Sequence, residues 1–176
     1  RLRSRGLGDV YKRQFQKMEN GGVQLNLKKC DINQLVSDVY GQFTSPAELK
    51  GISVMLDLPE GEIFASVDRE KVCKIIVNLI GNAVKYAQSR IDIKLASSGE
   101  GFRVSVSDDG PGIPDGEKQK VFEAFYQVKD GKSGAVGTGI GLAFSKSLAE
   151  AHHGTLSLED SVYGGSSFVL TLPWGE

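Results

Sequence analysis

Residues 68–109 read DREKVCKIIVNLIGNAVKYAQSRIDIKLASSGEGFRVSVSDD, and two periodicities follow one another within them. Behind Asp68, a residue suited to capping, Val72, Ile76, Leu79, Ile80, Ala83 and Ala87 recur on one face of a helix over 69–87. The pattern then changes to every second residue: Ile91, Ile93 and Leu95, the turn Ser98-Gly99-Glu100-Gly101, then Phe102, Val104 and Val106. That alternation predicts an antiparallel hairpin. A helix feeding a hairpin whose apolar residues share one face places helices against one side of a sheet.

The flanks extend the same plan. Asp31 followed by Gln34 starts a helix whose Ile32, Leu35, Val36, Val39 and Phe43 run to Pro46 or a little beyond. Ile52, Val54, Leu56 and Leu58 alternate with polar neighbours apart from Met55 and predict a half-buried strand, and 63–67 a second, short one. After a loop-rich stretch over 109–138 come a helix over about 140–153 and two closing strands, 155–159 and 167–172. The expected fold is α/β (α+β): a two-layer sandwich with a mixed, mainly antiparallel sheet on about three helices.

A chain of 176 residues can bury roughly 70% of its unfolded surface, so a real core is expected. Hydrophobic residues at 40%, charged residues at 24% and 5 prolines exclude a disordered or low-complexity scaffold. The net charge of −1 gives no reason to expect a nucleic-acid or membrane-surface partner. No apolar run approaches the length of a membrane span, and no signal peptide is expected. Cys30 and Cys73 form no CxxC pair and read as reduced thiols, which points to a cytoplasmic domain. The first fourteen residues carry Arg1, Arg3, Arg5, Lys12 and Arg13 against Asp9 alone, without helical or strand periodicity. Residues 1–14 are therefore set aside as a non-native scar or disordered basic tail.

Three clusters carry chemistry. In Asn78-Leu79-Ile80-Gly81-Asn82-Ala83-Val84-Lys85-Tyr86, helical geometry brings Asn78, Asn82, Lys85 and Tyr86 within roughly 100° of one another, opposite the apolar stripe. Asparagine is a poor helix former, so this strip reads either as a solvated face or as amide oxygens for a hard cation beside a lysine for phosphate. In Asp108-Asp109-Gly110-Pro111-Gly112-Ile113, strand alternation turns Asp108 toward the core, where a carboxylate needs a donor, and Asp109 the other way. Gly110 and Gly112 let a planar ligand approach the backbone. In Gly137-Thr138-Gly139-Ile140-Gly141-Leu142, glycines lead into a helix whose first amides suit phosphate oxygens. Gly131-Lys132-Ser133 imitates the end of a P-loop, but Tyr126 stands where that motif needs glycine.

The ordered set of Asn78 to Tyr86, Asp108 to Gly112, Phe122-Glu123-Ala124-Phe125 and Gly137 to Gly141, followed by Gly164-Gly165-Ser166-Ser167-Phe168, resembles the catalytic and ATP-binding domain of sensor histidine kinases. These belong to the Bergerat-fold superfamily with gyrase, Hsp90-type chaperones and mismatch-repair ATPases. The resemblance covers roughly residues 30–173 and implies ATP and Mg²⁺ as ligands. By resemblance Asp108 accepts from the adenine exocyclic amine; Asn82 and Asn78 hold Mg²⁺; Lys85 faces phosphate; Tyr86, Gly110, Gly112 and Ile113 line the pocket. Gly137, Thr138, Gly139, Ile140, Gly141 and Leu142 wrap the triphosphate at the end of a lid over about 125–136, with Phe122 and Phe125 packing the lid's root or, for Phe122, simply the core.

Hydrolytic members of the superfamily carry glutamate at the position of Asn78, so the resemblance implies phosphoryl transfer and not ATP hydrolysis. It further implies a partner histidine on a dimerisation hairpin, of which residues 15–29 would be the end and linker, and a response regulator receiver domain beyond it. His152 and His153 read as capping or packing residues, not acceptors. Gln127 departs from the basic residue that many members have there, with Lys129 or Lys132 as substitutes, and keeps a regulatory nucleotide-binding module as the alternative. The fragment is expected to be monomeric.

Overall fold

The computed structural model describes Arg13, residues 22–126 and residues 140–175. Asp31 ends β1 (Lys28–Asp31) and caps α1 (Ile32–Leu49), its carboxylate accepting from the Gln34 amide at 3.1 Å. Pro46 lies inside α1, in its last turn. The edge strand β2 (Ser53–Asp57) follows, then β3 (Phe64–Val67). Asp68 caps α2 (Arg69–Tyr86), which leads into the hairpin of β4 (Arg90–Ser98) and β5 (Gly101–Asp108). Short 3-10 turns at Asp115–Glu117 and Lys120–Phe122 precede α3 (Gly141–Ala151), β6 (Thr155–Asp160) and β7 (Ser166–Pro173).

The main sheet has the order β2-β4-β5-β7-β6 and is antiparallel except for the β2–β4 pair; β1 and β3 form a separate two-stranded ribbon. This is the expected two-layer sandwich, with three α-helices among the described residues. Its core is the inner face of the sheet, with Ile91, Ile93, Phe102, Val104, Val106, Leu170 and Leu172 meeting Ile75, Ile76, Leu79 and Ile80 of α2, all fully buried. Each such side chain contributes about 1.5–3 kcal/mol of transfer free energy. On the outer face the same strands present Asp92, Lys94, Arg103, Ser105 and Ser107, which are half-buried or exposed.

One element differs from expectation. Lys28–Asp31 is a strand because β3 pairs with it over the register Lys28↔Val67 to Asp31↔Phe64, a long-range cause that a four-residue segment cannot display. Ile140, just ahead of α3, is 2% exposed and its side chain belongs to the core.

Candidate functional site

Asp108 ends β5 with its side chain on the core side, as the alternation requires, and is 4% exposed. One carboxylate oxygen, Oδ1, accepts from the backbone amides of Gly110 at 2.8 Å and Ser166 at 3.2 Å. Oδ2 has no hydrogen bond among the described residues, although no buried polar atom is left unpaired there, so Oδ2 is open to a small donor. Burial pushes the carboxyl above the usual carboxylate range, the two amides offset part of that, and the neighbouring Asp109 charge adds to the push. A buried acid with one fixed oxygen and one free oxygen is arranged to receive a donor from a ligand.

The glycines around it have a steric reason. A Cβ on Gly110 would lie 2.5 Å from the Tyr86 carbonyl oxygen and 3.0 Å from Asp108 Oδ1, and one on Gly165 would overlap Asp108 itself and come within 2.6 Å of the Gly110 nitrogen. Side chains here would displace the carboxylate or fill the space above it. Gly112 has φ +74 and sits against the Gly164 carbonyl, while Ile113 packs partly buried against the core.

Asp109 points the other way. It accepts from the amides of Gln88 (2.8 Å), Ser89 (3.0 Å) and Arg90 (3.1 Å) and from the Ser89 hydroxyl (2.6 Å). Burial opposes ionisation, but these donors outweigh it and hold the carboxyl far below the usual range. Asp109 thus ties the exit of α2 to the end of β5, a role the residue pattern did not disclose.

On α2, Asn78, Asn82 and Lys85 are half-buried and Tyr86 is 37% exposed, with the Tyr86 carbonyl against Gly110 just past the end of β5. Asn78 Nδ2 donates to Ser145 Oγ at 2.9 Å and to the Gly141 carbonyl at 3.3 Å, which anchors the start of α3 on α2. Its Oδ1 remains for another donor or a cation. Ser145, fully buried on the inner side of α3, is a residue the sequence reading missed; a polar residue on an otherwise apolar helix face was its signal. Asn82 makes no hydrogen bond among the described residues. Lys85 lies over the Tyr86 ring with its ammonium 5.4 Å from the centroid, and burial, with Lys50 nearby, lowers its pKa.

Of the second glycine cluster, Gly141 opens α3 beside Asn78, Leu142 packs partly buried on the core, and Gly137, Thr138 and Gly139 lie outside the described residues, as do Gln127, Lys129 and Lys132. Phe122 is a core residue, edge-on to Phe168 at 6.2 Å, and Phe125 is 54% exposed with φ +68. His152 is 5% exposed and fully engaged within the fold. A groove of about 810 Å³ between β1 and the first half of α2 touches this set only at Asn78. The carboxylate and its glycine cradle, which that groove does not include, are the better candidate for base recognition.

Comparison with known proteins converges on one family. Residues 67–176 match the family described as histidine kinase-, DNA gyrase B-, and HSP90-like ATPase. Sensor histidine kinase TmoS of Ectopseudomonas mendocina is 35% identical over 162 residues, covering 89% of this chain and 16% of the relative. Sensor histidine kinase RppB of Synechocystis is 35% identical over 162 residues, covering 90% of this chain and 36% of the relative. The chain therefore spans well under half of either curated relative. Among solved structures, full-length ShkA in complex with AMPPNP superposes with a TM-score of 0.83 at 25% identity, over 95% of this chain and 34% of that one. The catalytic domain of histidine kinase ThkA, nucleotide-free, superposes at 0.77 over 86% of this chain and 100% of that one, at 24% identity, a likeness of fold. The chain belongs to the histidine kinase-, DNA gyrase B- and HSP90-like ATPase family and corresponds within it to the catalytic domain of sensor histidine kinases.

Proposed function

We propose that this chain binds Mg²⁺·ATP and presents the γ-phosphoryl group to a histidine on a separate dimerisation domain, for onward transfer to a response regulator receiver domain. The observation that carries the reading is Asp108: a buried carboxylate with Oδ1 held by two amides, Oδ2 open, and no room for a Cβ at Gly110 or Gly165. The residues match what such a nucleotide needs. Asp108 Oδ2 accepts the exocyclic amine of adenine, and Gly110, Gly112 and Ile113 leave space for the flat base. Asn82, which has no protein partner among the described residues, and Asn78 through Oδ1 offer neutral oxygens to Mg²⁺. Lys85 offers its ammonium to phosphate oxygens beside Tyr86, and Gly141 opens α3 for the rest of the triphosphate, a role that Gly137, Thr138 and Gly139 have by resemblance alone. Bound Mg²⁺·ATP supplies a transferable phosphoryl group whose developing charge the cation neutralises.

Asn78 favours transfer over hydrolysis. A carboxamide has no basic lone pair with which to take a proton from water, and this one spends Nδ2 on Gly141 and Ser145, which supports a site that positions the phosphoryl group for an external nucleophile. His152 is not that nucleophile, because both ring nitrogens are engaged inside the fold. No helix among the described residues is long and apolar enough to cross a membrane, and we place this domain in the cytoplasm. The test is incubation of the chain with radiolabelled Mg²⁺·ATP and a purified histidine-bearing dimerisation hairpin of a sensor histidine kinase. Label appearing on a hairpin histidine, with little free phosphate from the chain alone, is the expected result. Rapid phosphate release without a hairpin would make it a hydrolase, and nucleotide binding without transfer a regulatory module.

A further inference from the structure

Asp108 Oδ1 accepts from the amide of Ser166, the first residue of β7, and lies against Gly165 at the end of the β6–β7 turn. That turn closes on itself: Ser161 N donates to the Gly165 carbonyl at 2.9 Å, Gly164 N to the Ser161 carbonyl at 3.0 Å, and Tyr163 N to Ser161 Oγ at 3.1 Å. Its tip is bare, with Val162 90% exposed, and Gly164 has φ +90. Glycines and an exposed tip give such a turn little packing of its own. Beyond these bonds, and the Lys118 ammonium that pairs with Asp160 at the turn's base at 2.8 Å, its tip is tied on the opposite, outer face of the sheet. The Tyr163 hydroxyl donates to Asp92 Oδ2 at 2.6 Å, and its ring lies under the Arg90 guanidinium at 4.5 Å. Arg90 in turn grips Asp92 through Nε at 2.9 Å and a terminal nitrogen at 3.2 Å. Asp92 pairs with Ser107 in the β4–β5 register, and Ser107 Oγ meets Ser167 Oγ at 2.8 Å, so the row Asp92–Ser107–Ser167 runs directly behind Asp108. The Arg90 amide is bonded by Asp109. One polar cluster therefore joins the exit of α2, β4, the end of β5 and the β6–β7 turn around a single buried carboxylate.

We propose that Tyr163, braced by Arg90 and Asp92, is a positioning residue for base recognition: from the outer face it holds the 161–165 turn so that Gly165 and Ser166 keep Asp108 in the orientation that selects adenine. This rests on the nucleotide reading above. An exposed pair of this kind contributes little to the stability of a fold, so a large functional effect would come from placement. Adenine presents an amine to Asp108 where guanine presents a carbonyl oxygen. Loosening the carboxylate therefore weakens adenine binding and relieves the repulsion of guanine, and the ratio of the two affinities reports the placement of Asp108.

The test is calorimetric titration of the folded chain with Mg²⁺·ADP and Mg²⁺·GDP, for the wild type, Tyr163→Phe and Tyr163→Ala. The expected result is a fall in the ADP-to-GDP affinity ratio of about tenfold in Tyr163→Ala and a smaller fall in Tyr163→Phe, which keeps the ring on Arg90 but loses the bond to Asp92. The amide resonances of Gly110 and Ser166 should move with it, and should stay in place in the outer-face control Lys94→Ala. An unchanged ratio in a folded Tyr163→Ala chain overturns the proposal and leaves the kinase reading standing. Equal losses for both nucleotides overturn it as well, because that is a general loosening. A wild type that binds neither nucleotide overturns the nucleotide reading, and this inference with it.

Discussion

The backbone amide of Asp68 donates to Nε2 of His152 at 3.1 Å, joining the cap of α2 to the end of α3 across 84 residues. Because Nε2 accepts, Nδ1 carries a proton and donates to the Leu148 carbonyl at 2.8 Å. The Asp68 carboxylate extends the junction, accepting from the amides of Asn26 at 3.0 Å and Lys71 at 3.3 Å and from the Lys71 ammonium at 3.1 Å. His152→Ala leaves a buried amide without its acceptor and should cost about 1–3 kcal/mol. Urea unfolding followed by circular dichroism checks this; an unchanged midpoint would mean that water replaces the ring at no cost.

Asn82 gives the opposite outcome. It has no hydrogen-bond partner among the described residues and sits in a helix interior, where alanine is preferred by up to about 0.7 kcal/mol. Asn82→Ala should therefore leave the unfolding midpoint equal or higher while lowering Mg²⁺-dependent nucleotide affinity by about tenfold or more. Titrations with the ATP analogue with and without Mg²⁺ separate the two effects. A loss of affinity identical with and without Mg²⁺ would remove Asn82 from the cation site.

Asp109 sets a pH dependence. Its folded pKa is depressed by the Ser89 hydroxyl and the amides of residues 88–90, which outweigh burial, so it contributes stability at pH values above the unfolded value of about 3.9. That contribution is lost as pH falls toward the folded value. Asp109→Asn should unfold at lower urea than the wild type at pH 5 to 7, with the gap narrowing below about pH 4. A gap that is constant with pH would assign the effect to hydrogen-bond geometry and not to charge.

Much of this was legible because strong periodicities lie in short segments. The stripe of α2, the β4–β5 hairpin and the inward turn of Asp108 all follow from residue spacing, and the structure reproduces each. What escaped reading depends on distant partners. β1 exists through β3; the parallel pairing of β2 with β4 is invisible in the alternation of β2 itself; Ser145 is tolerable in the core only because Asn78 meets it from another helix. The donors of Asp109 become neighbours only when the exit of α2 folds back on β5.

The most direct measurement is calorimetric titration of the chain with a non-hydrolysable ATP analogue and Mg²⁺, wild type beside Asp108→Asn. Asparagine can keep the acceptor bonds to Gly110 and Ser166 but cannot offer the open oxygen with its charge, so binding should fall by at least about 2 kcal/mol, roughly thirtyfold. The folded pKa of Asp108 is raised, so its stabilising contribution is complete below the unfolded value and lost as pH rises through the folded one. At neutral pH the ionised group therefore weighs against folding, and the thermal midpoint of the variant should equal or exceed that of the wild type. Loss of binding without loss of stability is the result this account predicts. A folded wild type that does not bind the analogue, or an Asp108→Asn chain that binds it equally well, would contradict it.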